Sequence, residues 1–342
     1  MSLDPIRVAV VGVGSFGKNH ARVYHALQSD HDQSPPIELV AVIDQNLELA
    51  RAVAAEFNTH AFPTIKDALA ATRINAASVA VPTVAHLSAA SALMEAGVDV
   101  LVEKPLAAAI HEADELIRLA RRTNRIVQVG HLERFNPAVR ATLPHITRPM
   151  FFEVHRLSPF TPRSLDVDVV LDLMIHDLDV VLSLVNSPVK EVRAVGLPVL
   201  TNKVDIANVR MEFDSGCVAN FTASRVSTER VRKLRFFQPH QYVSLDYSRR
   251  DVFMLTVNQT AEAAPQPGSA FTMPDIVPSK PEVVQEEPLQ SELRSFLDSV
   301  RTRSKPVVTL EDGRRALSAA LDILGAIEKH SRHAKLDLLS KA

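Results

Sequence analysis

A glycine triplet constrains this chain more than any other feature. Gly12, Gly14 and Gly17 fall as G-x-G-x-x-G between a Val-rich apolar run, residues 7–11, and an amphipathic stretch, residues 18–27. Three of only 10 glycines in 342 residues lie in this short window. A strand that turns at once into a helix needs one glycine for the tight turn, and a second where backbone must approach a pyrophosphate. It needs a third where helix and strand pack closely. The start of that helix, at Ser15 and Phe16, presents free N–H groups to an anion. Glycines also mark ordinary tight turns, so the motif gains its meaning from the strand before it and the helix after it.

The first 130 residues keep the same rhythm. Residues 38–43, 77–81, 98–102 and 126–129 are short, rich in Val and Ile and almost continuously apolar, as strands buried on both faces of a parallel sheet are. Amphipathic stretches at 47–57, 65–71, 87–96 and 111–123 separate them. Right-handed crossovers then predict a Rossmann, doubly wound parallel sheet over residues 1–130. Asp44 ends the second run, where a carboxylate accepts hydrogen bonds from both ribose hydroxyls and repels a 2′-phosphate. Only Gln45 and Asn46 follow it, with no adjacent Arg, so NAD is expected rather than NADP. Asp44 also precedes the helical stretch 47–57 and could cap it; the two readings are compatible.

Beyond Gly130 the texture changes. Helical signals are broken by Pro137 and Pro144, and a long amphipathic segment, 169–185, is closed by Pro188. Residues 207–213, the Asp214-Ser215-Gly216 turn and residues 217–224 read as a hairpin, and 234–237, 242–247 and 252–257 continue an antiparallel meander. Six prolines from Pro265 to Pro288 predict an extended loop, and helices over 290–301 and 311–329 close the chain. Residues 131–342 are therefore expected to form an α+β domain with a largely antiparallel open sheet and helices on one face. The other face should be covered, which predicts a homodimer or homotetramer joined through the sheet of residues 207–257.

Charge removes several function classes. Lys and Arg number 38 against 40 Asp and Glu, the net charge is −2 and the pI about 6.7. There is no basic field to hold nucleic acid or an anionic membrane. A single cysteine forms no intrachain disulfide and no Cys-rich zinc cage. The apolar runs fall far short of the ~20 residues of a membrane span, and residues 1–7 show no secretory pattern. A cytoplasmic protein is expected.

Three further stretches carry a resemblance. Val81-Pro82-Thr83 with His86, Glu103-Lys104-Pro105 closing an apolar run, and Asp172-x-x-x-His176 within LDLMIHDLD accompany the glycine fingerprint. Together they resemble the Gfo/Idh/MocA oxidoreductases, which act mostly on sugars, cyclitols and their derivatives. The likeness runs along nearly the whole chain. It implies an NAD-dependent dehydrogenase of CH–OH groups with cofactor contacts at Gly12, Gly14, Ser15, Phe16, Gly17, Asp44, Pro82, Thr83, His86, Glu103 and Lys104. It also implies catalytic roles for Lys104, Asp172 and His176.

The chemistry is consistent with those residue types. Oxidising a secondary alcohol needs a base for the hydroxyl proton while hydride leaves to the nicotinamide. Asp172 and His176, at i and i+4, share one helix face, so the carboxylate can orient the imidazole. Lys104 ends a strand on the side where open α/β sheets bind ligands, within reach of a reacting oxygen. Which of Lys104 and His176 takes the proton is left open by the sequence. No metal is expected, and Asp177 and Asp179 read as helix-packing residues. The remaining histidines and Cys217 read as structural.

One departure narrows the resemblance. Met174 stands where many family members carry glycine two residues before the histidine, and the LMIHDLD wording resembles the branch that oxidises UDP-N-acetylglucosamine at C3. A nucleotide-sugar diphosphate calls for cations, and Arg134, Arg156 and Arg163 lead into the catalytic helix, with Asn136 a partner for sugar hydroxyls. Each arginine could equally be a solvated or ion-paired surface residue. The alternatives are an inositol or free-sugar dehydrogenase, an NAD-dependent glycoside hydrolase and a non-catalytic NAD-binding regulator. Intact Lys104, Asp172 and His176 argue against the last.

Overall fold

The computed structural model describes residues 4–29, 36–161, 167–258 and 275–334. Packing divides the chain into two units, Met1–Phe135 with Glu286–Ser318, and Asn136–Gln285 with Ala319–Ala342.

In the first unit strands and helices alternate: β1 (Ile6–Val11), α1 (Ser15–Gln28), β2 (Ile37–Ile43), α2 (Leu47–Glu56), β3 (His60–Phe62), α3 (Ile65–Ala71), β4 (Ala76–Val79), α4 (His86–Glu95), β5 (Asp99–Glu103), α5 (Ile110–Thr123) and β6 (Val127–Gly130). The sheet runs β3-β2-β1-β4-β5-β6 with every pair parallel, the doubly wound order expected of a Rossmann unit. β4 and β5 are buried throughout, which is why their sequences lack alternation. α5 shows the complementary pattern, burying Ala113, Leu116, Leu119 and Ala120 on one stripe and ending on Asn124 in the left-handed region. The short β3 pairs only through Ala41 to Ile43 of β2, too few residues for a periodic signal.

In the second unit α6 (Pro137–Thr142) and β7 (Phe151–Leu157) lead to a π-helical turn, Val170–Met174, that runs into α7 (Ile175–Leu184). β8 (Val189–Leu197), β9 (Ile206–Phe213), β10 (Val218–Ser224), β11 (Val231–Gln238), β12 (Gln241–Asp246), β13 (Asp251–Asn258) and β14 (Asp275–Ser279) follow. The sheet runs β14-β13-β12-β11-β7-β10-β9-β8, and only β7 against β10 is parallel. The expected hairpin closes at Gly216, whose φ of +83° suits glycine. β14 corrects the expectation of a structureless proline loop: Pro278 sits in the last strand of the sheet, an edge where a missing N–H is tolerated.

α8 (Pro288–Thr302) and α9 (Leu310–His333) end the described chain, and here the expected division at residue 130 differs from the packing. α8 carries Leu289, Leu293, Phe296, Leu297 and Val300 on one stripe. That stripe joins the core formed by Val10 of β1 and Tyr24 and Leu27 of α1. The first turns of α9 lie close on the same unit, because Gly313 has no side chain: a Cβ there would stand 2.8 Å from a Val129 methyl. The apolar stripe of α8 announces a helix but does not say which sheet it covers. Among the described residues, no helix is long and apolar enough to cross a membrane.

Candidate active site

In the first unit the parallel strands bring the motif residues to one edge. Gly12 to Gly17 follow β1, Asp44 follows β2, Val81 to Thr83 follow β4, and Lys104 follows β5. This is the carboxyl edge, and β1 beside β4 is the point where the strand order reverses.

The three glycines differ physically. Gly12 has φ +82°, and a Cβ there would lie 2.7 Å from the Ala80 carbonyl oxygen; one at Gly17 would lie 1.8 Å from the Gly12 oxygen. At Gly14, whose φ is −60°, no protein atom comes within 4 Å of such a Cβ. Two glycines are thus demanded by packing, while the second faces open space at an uncapped helix start with no acid in its first turn. That cradle fits a pyrophosphate. Ser15 and Phe16 are exposed on it, and the Phe16 ring meets His20 edge-on at 5.2 Å.

Asp44 is half-buried and braces the loop: Val13 N–H donates to Oδ2 at 2.9 Å and Asn46 N–H to Oδ1 at 2.9 Å. The cap of α2 is Asn46, whose side chain accepts from Leu49 N–H, so the capping reading passes to Asn46. Each Asp44 oxygen retains acceptor capacity for a ribose.

Two buried histidines bracket Glu103-Lys104-Pro105. His86 places Nε2 3.0 Å from the Val81 oxygen and Nδ1 3.0 Å from the Pro105 oxygen. Burial lowers its pKa, and a neutral ring has one N–H to offer the two carbonyls. On the other side His20 Nε2 lies 3.1 Å from Glu103 Oε1, while Glu103 Oε2 accepts from the Lys104 N–H at 3.3 Å. Gly130 leaves room for that carboxylate, since a Cβ would stand 2.6 Å from Oε1. His86 and Glu103, both expected as cofactor contacts, are buried and brace the turn that carries half-buried Lys104. Pro82 is exposed and Thr83 half-buried at the start of a short 3-10 turn. Sequence reasoning missed His20; its signal is its place with Gly17, Ala21 and Tyr24 on the buried stripe of α1.

The second unit supplies the helical pair. Val169 N–H donates to the Val204 oxygen at 3.0 Å, and Val204 N–H to Asp168 Oδ1 at 2.8 Å, fixing the start of the π turn. The neighbouring Asp205 carboxyl is buried, which alone would raise its pKa. N–H groups of Val199, Leu200 and Thr201 donate to it, with the Thr201 hydroxyl, and hold it below the usual value. Asp172 lies in the π turn and His176 in the first turn of α7, both half-buried. The expected continuous α-helix is thus widened by one π turn just before His176. Met174, in place of the family's glycine, is buried at that turn's last position.

Two expected substrate contacts, Arg156 and Asn136, are buried and engaged within the second unit. Arg156, only 4% exposed, grips buried Asp177 through Nε–Oδ2 at 2.6 Å and Nη2–Oδ1 at 2.9 Å, with its guanidinium 5.1 Å from the Tyr247 ring centre. Asn136, also buried, accepts from Ala138 N–H to cap α6 and donates to the Tyr247 oxygen at 3.1 Å. In the first unit, half-buried Arg134 donates to the Val307 oxygen at 3.3 Å. Arg163 lies outside the described residues. Asp179 is buried on α7. Among the described residues no group of three His, Cys, Asp or Glu side chains is placed to hold a metal ion. A cavity of about 260 Å³ lined by Arg121, Arg125 and Lys305 opens beside the amino end of β6, away from the strand carboxyl ends, and includes none of these residues.

Residues 6–131 match the oxidoreductase family with an NAD-binding Rossmann fold of the Gfo/Idh/MocA group, and residues 144–238 match the Gfo/Idh/MocA C-terminal domain. UDP-N-acetylglucosamine 3-dehydrogenase of Acidithiobacillus ferrooxidans is 37% identical over 327 residues, covering 94% of this chain and 97% of that protein. The chain belongs to the Gfo/Idh/MocA oxidoreductase family. A solved structure of that A. ferrooxidans enzyme superposes with a TM-score of 0.85 at 35% identity, covering 96% of this chain and 99% of the other. The scyllo-inositol 2-dehydrogenase (NAD(+)) of Bacillus subtilis is 26% identical over 89% of each chain. Gfo/Idh/MocA membership makes this protein an oxidoreductase whose first unit is an NAD-binding Rossmann fold.

Proposed function

We propose that this protein oxidises the C3 hydroxyl of UDP-N-acetylglucosamine, with NAD as the acceptor. The observation that carries the reading is likeness at 37% identity to an enzyme of that name across 94% of the chain.

Bound NAD supplies a hydride acceptor at its nicotinamide. The loop from Gly12 to Gly17 and the start of α1 would hold the pyrophosphate of NAD, and Asp44 would accept from its ribose. His176 takes the proton of the substrate hydroxyl and Asp172 orients its ring, while Lys104 hydrogen-bonds the reacting oxygen. Arg134 is the described candidate for the substrate diphosphate. That remote grip positions the sugar, so a free hexosamine should lose turnover as well as affinity.

The test is a panel of UDP-sugars, free hexoses and inositols, read by NADH absorbance and mass spectrometry with the ketone trapped. Turnover of UDP-N-acetylglucosamine is expected. Activity on inositol or glucose with none on any UDP-sugar overturns the substrate, and release of free sugar from a glycoside without net NADH establishes the hydrolase instead.

A further inference from the structure

We infer that Arg156 is a positioning residue for catalysis, acting through Asp177 to set the direction in which His176 points. The inference rests on the reading of His176 as the acid/base.

The buried pair needs an explanation, because stability alone is a weak one: burying two charges takes back much of what their attraction contributes. Direction is what the pair supplies. Ile175, Leu178, Val181 and Leu182 of α7 are buried, but apolar burial is non-directional and supplies no bond that sets an orientation. The π turn immediately before α7 interrupts the regular ladder that would otherwise pass register along from Val170. A guanidinium fork closing on a carboxylate in two parallel hydrogen bonds fixes orientation as well as distance. Here that fork sits on β7, at the centre of the sheet, with Nε and Nη2 each engaged. Tyr247 flanks its guanidinium, and Asn136 in turn donates to the Tyr247 backbone oxygen. Successive residues of an α-helix point about 100° apart. Holding Asp177 against Arg156 therefore fixes the azimuth of His176, its chain neighbour. A chain of supports runs from Asn136 through Tyr247, Arg156 and Asp177 to the catalytic imidazole, and explains why two residues with the chemistry of substrate contacts are buried.

The test separates placement from folding. Arg156→Lys removes the fork but keeps the charge; the double variant Arg156→Met with Asp177→Leu replaces the pair by apolar side chains, which keeps a fold where a single truncation would strand a buried charge. Both should melt near the wild type and keep the KM for NAD, while kcat falls about 10-fold or more, as small misplacement of a reacting group does. In a His176→Asn background the same changes should lower kcat no further. Wild-type kcat in the folded double variant would overturn the inference, as would an equal fall in both backgrounds. Wild-type turnover of His176→Asn alone is a different failure, which removes the acid/base reading and this inference with it.

Discussion

His176 and Lys104 are held by opposite means, and that difference shapes what each variant should do. Lys104 rides on a turn clamped by His20, His86 and Glu103, so Lys104→Met removes one donor and leaves its supports in place. His176→Asn removes the imidazole from a helix anchored one residue away. Each change should lower turnover by about 10²-fold or more, with NAD affinity by calorimetry nearly unchanged; wild-type turnover of either variant would take that residue out of the mechanism. His86 gives the pH dependence. Its folded pKa is lowered by burial, so the neutral ring's contribution is complete above about pH 6.5 and is lost as pH falls from there toward the folded value. Denaturant titrations should show wild-type stability falling faster than that of His86→Gln between about pH 7 and about pH 5, by at most about 1.4 kcal/mol per pH unit. Parallel curves would remove His86 from the acid sensitivity. At this scale residue types were legible and partners were not. Arg156 and Asn136 have the chemistry of substrate contacts, and the sequence does not announce that Asp177 and Tyr247 are their partners in the fold.

Among the elements, the glycine loop makes the sharpest distinction. Gly17→Ala drives a Cβ into the Gly12 carbonyl, so it should both destabilise the unit and abolish NAD binding. Gly14→Ala meets no protein atom and keeps an ordinary φ. It should leave stability within about 1 kcal/mol, the size of a cap change, yet weaken NAD markedly if the pyrophosphate occupies the open space beside it. Unchanged NAD affinity in Gly14→Ala would show that the pyrophosphate lies elsewhere. The alternation of apolar runs and helices revealed the first sheet because its strands are buried on both faces. The π turn at Val170–Met174 was hidden, since the pattern of residues 169–185 is amphipathic whichever turn it adopts. β14 was hidden by Pro278, which reads as loop everywhere except at an edge.

For the whole molecule, the open face of the second sheet remains to be accounted for. Register aligns Leu255, Tyr242, Phe237, Phe151 and Val218 across five strands. The rings of Phe151, Phe237 and Tyr242 pack along it in tilted pairs with centroids 5.6 and 5.1 Å apart, and Phe237 is 39% exposed. An apolar row of that kind supports association through this face, and we propose a homodimer or homotetramer. Sedimentation at micromolar concentration should show it and Phe237→Lys should weaken it; a wild-type monomer would contradict it. The run of strands and turns made the second sheet legible in the sequence, whereas the return of α8 to the first unit depends on which core its stripe meets. The central claim is hydride transfer from C3 of a UDP-linked N-acetylglucosamine to NAD. It is tested most directly with UDP-N-acetylglucosamine deuterated at C3, following the label by mass spectrometry. The account predicts one deuterium in the reduced cofactor for each 3-keto sugar formed; unlabelled NADH, or a ketone at another carbon, would contradict it.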